Sequence, residues 1–128
     1  TNRFSICLYC KGRFLFLGDL EKEEVSSCLR NLRKTLTCDK IAVKYFITPH
    51  HGTKKHYCDD IANYIDAKYV ISSNGKERIR DYEKKYNELG KHTHCTYLNG
   101  DFYGIETLSK GIVLSVCPGD YFISCLVP

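Results

Sequence analysis

The sequence Lys44-Tyr45-Phe46-Ile47-Thr48-Pro49-His50-His51-Gly52-Thr53 joins a short apolar run to two adjacent histidines and a glycine. The apolar residues from 41 to 47 predict a β-strand that ends before Pro49. In α/β proteins, polar side chains in a turn at the end of such a strand commonly carry the chemistry. We therefore expect His50 and His51 to belong to a functional site.

A second apolar run, residues 14 to 17, ends in Gly18-Asp19. It is apolar on both faces, which predicts an interior strand. A carboxylate at one strand end and imidazoles at another are donors that a metal ion requires. Asp19 has two interpretations from its position alone: an N-cap of the following helix, or a carboxylate ligand that bridges two cations. Adjacent side chains diverge, so one histidine would be a ligand while the other orients it or contacts substrate.

The remaining pattern predicts a single α/β domain over residues 1–128, with a mixed sheet, flanking helices and a strand-rich tail. A hairpin is expected around Lys11-Gly12. Thr53 is a candidate N-cap for the second helix. The predicted strands are 4–10, 13–17, 41–47, 69–74, 94–98, 102–107, 111–117 and 121–127, and the predicted helices are 21–36, a segment after Gly52, and 79–89.

Composition limits the class of protein. The chain has 128 residues, a net charge of +4 and 43% hydrophobic residues, which is globular and permits a polyanionic partner. No stretch is long enough to span a bilayer. Its eight cysteines are expected to be reduced in a cytoplasmic protein. Cys7 and Cys10 would point to opposite faces of a strand, which disfavours a zinc or redox centre built on cysteine.

Several other polar groups have competing interpretations. The segment Ser72-Ser73-Asn74-Gly75 is either an anion cradle or a simple turn. His92 and His94 are expected at the surface. His56 and the pair Asp59-Asp60 are expected on a solvated helix face.

Four motifs together resemble the second half of metallo-β-lactamase-fold hydrolases, closest to the branch related to the hydrolase domain of the competence protein ComEC. They are Asn2-Arg3-Phe4-Ser5, the run from Phe14 to Glu21, Pro49-His50-His51-Gly52-Thr53 and Val70-Ile71-Ser72-Ser73. They occur in the family's order and cover roughly residues 2 to 107. The resemblance implies an αββα sandwich with a two-metal cleft, usually zinc and sometimes manganese or iron. It further implies attack by a metal-activated water on a phosphodiester or nucleic acid.

Carried over, Asp19 matches the family's bridging aspartate, and His50-His51 matches its last metal-binding histidine position, with His51 favoured. Contacts to a substrate phosphate are expected from Lys54, Lys55, Ser72 and Asn74. The family's His-x-His-x-Asp-His cluster is absent, so we expect this chain to be the C-terminal part of an enzyme whose N-terminal half-domain supplies it. Such a half-sandwich would expose an apolar face and self-associate. The alternative is a non-catalytic binding or assembly module that has lost the metal site.

Overall fold

A five-stranded mixed sheet forms the centre of the protein. The computed structural model describes residues 5–100 and two further strands. The strands are β1 (Leu8–Cys10), β2 (Phe14–Phe16), β3 (Ile41–Ile47), β4 (Ile65–Ser72), β5 (Gly90–Cys95), β6 (Ile112–Leu114) and β7 (Ile123–Cys125). The helices are α1 (Lys22–Leu36), α2 (Asp59–Tyr64) and α3 (Thr96–Asn99), with 3₁₀ turns at Pro49–Gly52, Lys54–His56, Ile79–Asp81 and Lys84–Glu88. The predicted α/β class with a mixed sheet is confirmed.

The order of the strands brings functional segments together. The sheet order is β1-β2-β3-β4-β5, with β1 antiparallel to β2 and the other neighbours parallel. Phe16 pairs with Ile47, and Ile47 pairs with Ile71. The carboxyl ends of β2, β3 and β4 therefore lie at one edge of the sheet, where ligands of α/β proteins usually bind.

Helices α1 and α2 cover one face of the sheet. The shared core includes Val25 and Leu29 of α1, Ile61 of α2, and Phe46 and Val70 of the sheet. The first turn of α1 is acidic and its last turn basic, as the helix dipole favours. The predicted bounds of α1 and β3 agree with the structure to within one residue.

The opposite face of the sheet carries a second apolar cluster of Phe14, Tyr45, Ile47 and Ile71. All four side chains are buried. The expected exposed apolar face is therefore not formed by these four side chains. Self-association stays a prediction without this support.

Several predicted elements were wrong in extent or type. The second helix begins only at Asp59, and Ile65 already pairs with Ile41 as the start of β4. Thr53 makes no side-chain capping bond. The third predicted helix is two 3₁₀ turns, whose spacing still buries Tyr82 and Tyr86.

The strand predicted from 94 to 98 is instead β5, from Gly90 to Cys95, and beyond Cys95 the side chains of Thr96 and Asn99 bond to the backbone in place of a ladder. The Thr96 hydroxyl both accepts from the backbone N–H of Asn74 and donates to its carbonyl. Strands β6 and β7 lie within two predicted ranges and pair antiparallel. The predicted strand 102–107 lies outside the described residues.

Tyr86 offers a direct test of the packing. Its side chain is 0% exposed, and its hydroxyl has no hydrogen-bond partner among the described residues. An unsatisfied buried hydroxyl carries a desolvation cost. We therefore expect Tyr86→Phe to leave the free energy of unfolding unchanged or raise it by about 1 kcal/mol, measured by urea denaturation.

Tyr82→Phe is the matched control, since the Tyr82 hydroxyl donates to Asn87 Oδ1 at 2.9 Å. This variant should lose about 0.5–1.5 kcal/mol. A larger loss in Tyr86→Phe than in Tyr82→Phe would show that the Tyr86 hydroxyl is satisfied in solution.

Candidate metal centre

The ends of β2 and β3 meet at a small open cavity. The backbone N–H of His50 donates to the carbonyl of Gly18 at 3.2 Å, which ties the two strand ends together. The cavity has a volume of about 350 Å³, and its lining includes Ser5, Gly18, Asp19, Thr48, His50 and His51. The Asp19 carboxylate and both imidazoles, which the sequence predicts at this edge, thus line one cavity, although their donor atoms do not all lie within 4.8 Å of one another.

The histidines lie in a strained turn. His50, His51 and Gly52 are consecutive residues with φ of 47°, 60° and 77°. The left-handed region costs roughly 1–2 kcal/mol for each residue that carries a Cβ. Strain of this kind persists only where the surroundings enforce it, and it concentrates at functional sites.

Hydrogen bonds from different segments enforce this turn. The Asn74 side-chain amide donates to the His51 carbonyl at 3.0 Å. The backbone N–H of Glu83 donates to the Gly52 carbonyl at 2.8 Å. Both donors lie in the connection between β4 and β5, so this segment holds the backbone of the turn that carries the two imidazoles.

The ring of His51 is oriented in the manner of a metal ligand. Its Nδ1 lies 2.9 Å from the Ser73 carbonyl oxygen. A carbonyl only accepts, so Nδ1 carries the hydrogen, and the neutral tautomer that this bond selects has its lone pair on Nε2. Histidine ligands are commonly fixed through this bond, with the other ring nitrogen toward the metal.

Asp19 is exposed and lies beside the cavity. The N-cap of α1 is Glu21, and its side chain makes no capping bond. The N-cap interpretation of Asp19 is therefore wrong. The backbone N–H of Asp19 donates to the Ser5 hydroxyl at 2.8 Å, which fixes the loop and leaves the carboxylate at the surface.

The four predicted substrate contacts divide into two pairs. Lys54 and Lys55 are exposed directly after the turn. Ser72 and Asn74 are buried, at 1% and 7% exposed. The Ser72 hydroxyl accepts from the Thr48 hydroxyl at 2.9 Å, and the Asn74 side chain holds His51. In this structure Ser72 and Asn74 support the turn from within the protein.

A second group of donors, not predicted as a site, adjoins the cavity. One donor atom each from Glu21, His50 and His56 lies within 4.8 Å of the other two. His56 is buried, so its predicted place on a solvated helix face is wrong. The same prediction is wrong for Asp60, because its carboxylate accepts hydrogen bonds from Arg30 Nε at 3.1 Å and from the Ser26 hydroxyl.

Sequence patterns gave little sign of this second group. Glu21 resembles any acidic residue at the start of a helix. His56 follows His50 by six residues, which in a helix would put the two side chains on different faces and in a strand far apart. They meet because a 3₁₀ turn from Lys54 to His56 folds the chain back.

His92 and His94, the other two histidines, lie away from the cavity. His92 is exposed and stacks on Tyr69, with ring centroids 5.0 Å apart. His94 is half-buried, and its Nε2 lies 2.7 Å from the Gly100 carbonyl oxygen. The surface prediction is thus confirmed for His92 and only in part for His94.

Comparisons with known proteins do not assign the chain to a family. No protein-family model matches the chain, and no curated protein or solved structure shows significant similarity.

Among the described residues, no helix has the length and apolar character that crossing a membrane requires. Between residues 5 and 100 the six cysteines, Cys7, Cys10, Cys28, Cys38, Cys58 and Cys95, are free thiols.

Proposed function

We propose that this chain supplies part of the metal centre of a metal-dependent hydrolase with a metallo-β-lactamase-like fold, related to the ComEC branch and acting on phosphodiesters or nucleic acid. The observation that carries the proposal is the strained histidine turn beside Asp19 at one cavity. Backbone strain of this kind concentrates at active sites and ligand clamps, and two consecutive left-handed histidines held by hydrogen bonds from other segments fit such a site.

The residues at the cavity fit a divalent cation. Asp19 offers an exposed carboxylate, and His51 offers an imidazole whose tautomer is set by Ser73. Mixed carboxylate and imidazole donors suit Zn²⁺, with Mn²⁺ or Fe as alternatives. In the complete centre Asp19 would bridge two ions and His51 would bind one, with His50 a further ligand or a group that orients substrate.

The bound cations and the two lysines would then have separate roles in the reaction. Bound cations supply a water of lowered pKa and positive charge for the reacting phosphate. Lys54 and Lys55, exposed beside the turn, would attract the phosphodiester electrostatically. The remaining ligands would come from residues that this chain lacks, in the manner of the upstream histidine cluster of the similar family.

The test measures hydrolysis of bis(p-nitrophenyl) phosphate by the longest product of the gene that carries this sequence, with added Zn²⁺ or Mn²⁺. We expect activity that a chelator abolishes. Asp19→Asn and His51→Ala should each lower kcat by at least about 100-fold, since each removes a ligand of the reactive centre.

Asp66→Asn and His92→Ala are the controls, because both residues are exposed and lie outside the cavity lining. Both variants should keep the wild-type rate, and circular dichroism should show all four variants folded. Activity that survives the chelator, or that Asp19→Asn leaves intact, would refute the hydrolase proposal. A folded gene product without any metal-dependent activity would favour the binding-module alternative.

A further inference from the structure

The most unusual polar side chain in the described residues is His56. It is only 6% exposed, and neither Nδ1 nor Nε2 has a hydrogen-bond partner there. Buried polar groups in native proteins nearly always have a partner, and each exception calls for an explanation such as an ion. Both nitrogens of the buried His56 ring are therefore open to a ligand.

The groups around His56 are those that a metal ion requires. Its Nε2 lies 3.5 Å from Glu21 Oε2, longer than a good hydrogen bond. Two ligands of one tetrahedral zinc ion, each bound at about 2.0–2.1 Å, lie about 3.3–3.4 Å apart. The separation of Nε2 and Oε2 thus fits two ligands of one ion better than a direct contact.

His50 supplies the third donor. Its ring stacks on the ring of His56, with centroids 3.5 Å apart and an angle of 11° between the planes. In two parallel stacked rings, the nitrogen lone pairs lie in parallel planes and do not converge on one point. A shared ion therefore requires the half-buried His50 ring to turn out of the stack. The His56 ring is fixed by burial and would keep its place.

From this geometry we propose that Glu21, His50 and His56 form a second cation site, separate from Asp19 and His51, for Zn²⁺ or a similar divalent transition metal. Two imidazoles and one carboxylate are a donor set that zinc enzymes use, with a fourth position open to water or substrate. His50 is also a candidate ligand of the proposed hydrolase centre, but Glu21 and His56 belong to this site alone, so the proposal does not depend on the hydrolase activity.

The electrostatics agree with the geometry. Burial lowers the pKa of the His56 imidazole, as does the nearby His50, while the carboxylates of Glu21 and Asp19 act in the opposite direction. A neutral imidazole is the form that binds a metal.

The test is titration of the metal-free chain with Co²⁺ alone, followed by its visible absorption, and with Zn²⁺ alone by calorimetry. We expect Glu21→Gln and His56→Gln to weaken binding by more than the about 10–100-fold that outer-shell partners contribute. Asp19→Asn and His51→Ala should retain Co²⁺ affinity at this site within a few fold. Circular dichroism checks each variant for folding.

Glu21→Gln decides the outcome even if a change at buried His56 prevents folding, because the Glu21 side chain is 31% exposed and makes no capping bond. Wild-type protein that binds neither Co²⁺ nor Zn²⁺ would overturn the site. So would binding that Glu21→Gln leaves intact and Asp19→Asn abolishes, although that result would support the hydrolase centre.

Discussion

Replacement of Phe46 by alanine is expected to lower the free energy of unfolding by about 3–5 kcal/mol. Phe46 is 0% exposed in the central strand β3, where it pairs with Leu15 on one side and Val70 on the other. Its ring also packs against Tyr86, with centroids 6.5 Å apart. The strands on both sides and the helices above leave little room for the site to collapse, so most of the cavity should remain. Urea denaturation with an unchanged m-value would measure the loss.

Leu98→Ala is the control for this prediction. Leu98 is 62% exposed in the short helix α3. Its replacement should change stability by no more than about 0.5 kcal/mol. If Phe46→Ala were as mild as Leu98→Ala, the assignment of Phe46 to the centre of the core would be incorrect.

The part of the fold that the sequence predicts well is the part with strong periodicity. Strand β3 is an apolar run interrupted only by Lys44, and α1 has a regular apolar stripe with charges that match its dipole. Helix α1 is determined mainly by contacts between residues close in sequence, and strand β3 by burial on both faces of the sheet. Their bounds could therefore be predicted almost to the residue.

The segment from Gly52 to Gly90 was predicted poorly, for a physical reason. The helical spacing of Ile79, Tyr82 and Tyr86 is satisfied by 3₁₀ turns, which bury the same side chains. Hydrogen bonds to distant residues compete with helix formation there: the backbone N–H of Glu83, for example, bonds to Gly52. Local propensity cannot foresee such long-range partners.

The candidate site was predictable as far as sheet topology determines it. Parallel pairing of β2 and β3 makes Asp19 and His50 neighbours once both strand ends are recognised. Glu21 and His56 come together because the 3₁₀ turn from Lys54 to His56 folds back toward the start of α1. No periodic pattern in the sequence encodes that contact, so the second group of donors can be recognised only in the folded structure.

Replacement of Gly18 by alanine is expected to cost about 2–5 kcal/mol. Gly18 has a φ of +59° and lies in the turn that presents Asp19. A Cβ there would overlap the Ser5 hydroxyl and lie 2.9 Å from the Ile6 carbonyl oxygen. The loss combines roughly 1–2 kcal/mol for the left-handed backbone with about 1–3 kcal/mol for overpacking. Thermal and urea unfolding would measure it.

Gly12→Ala separates these two contributions. Gly12 has a similar φ of +72°, but a Cβ there would meet no atom within 4 Å. Its replacement should cost only the backbone part, about 1–2 kcal/mol. The difference between the two variants then measures how tightly the Ser5 segment packs against the turn before Asp19. Equal losses would mean that this segment moves away without cost, and that the backbone around Asp19 is not held in the position that a metal ligand requires.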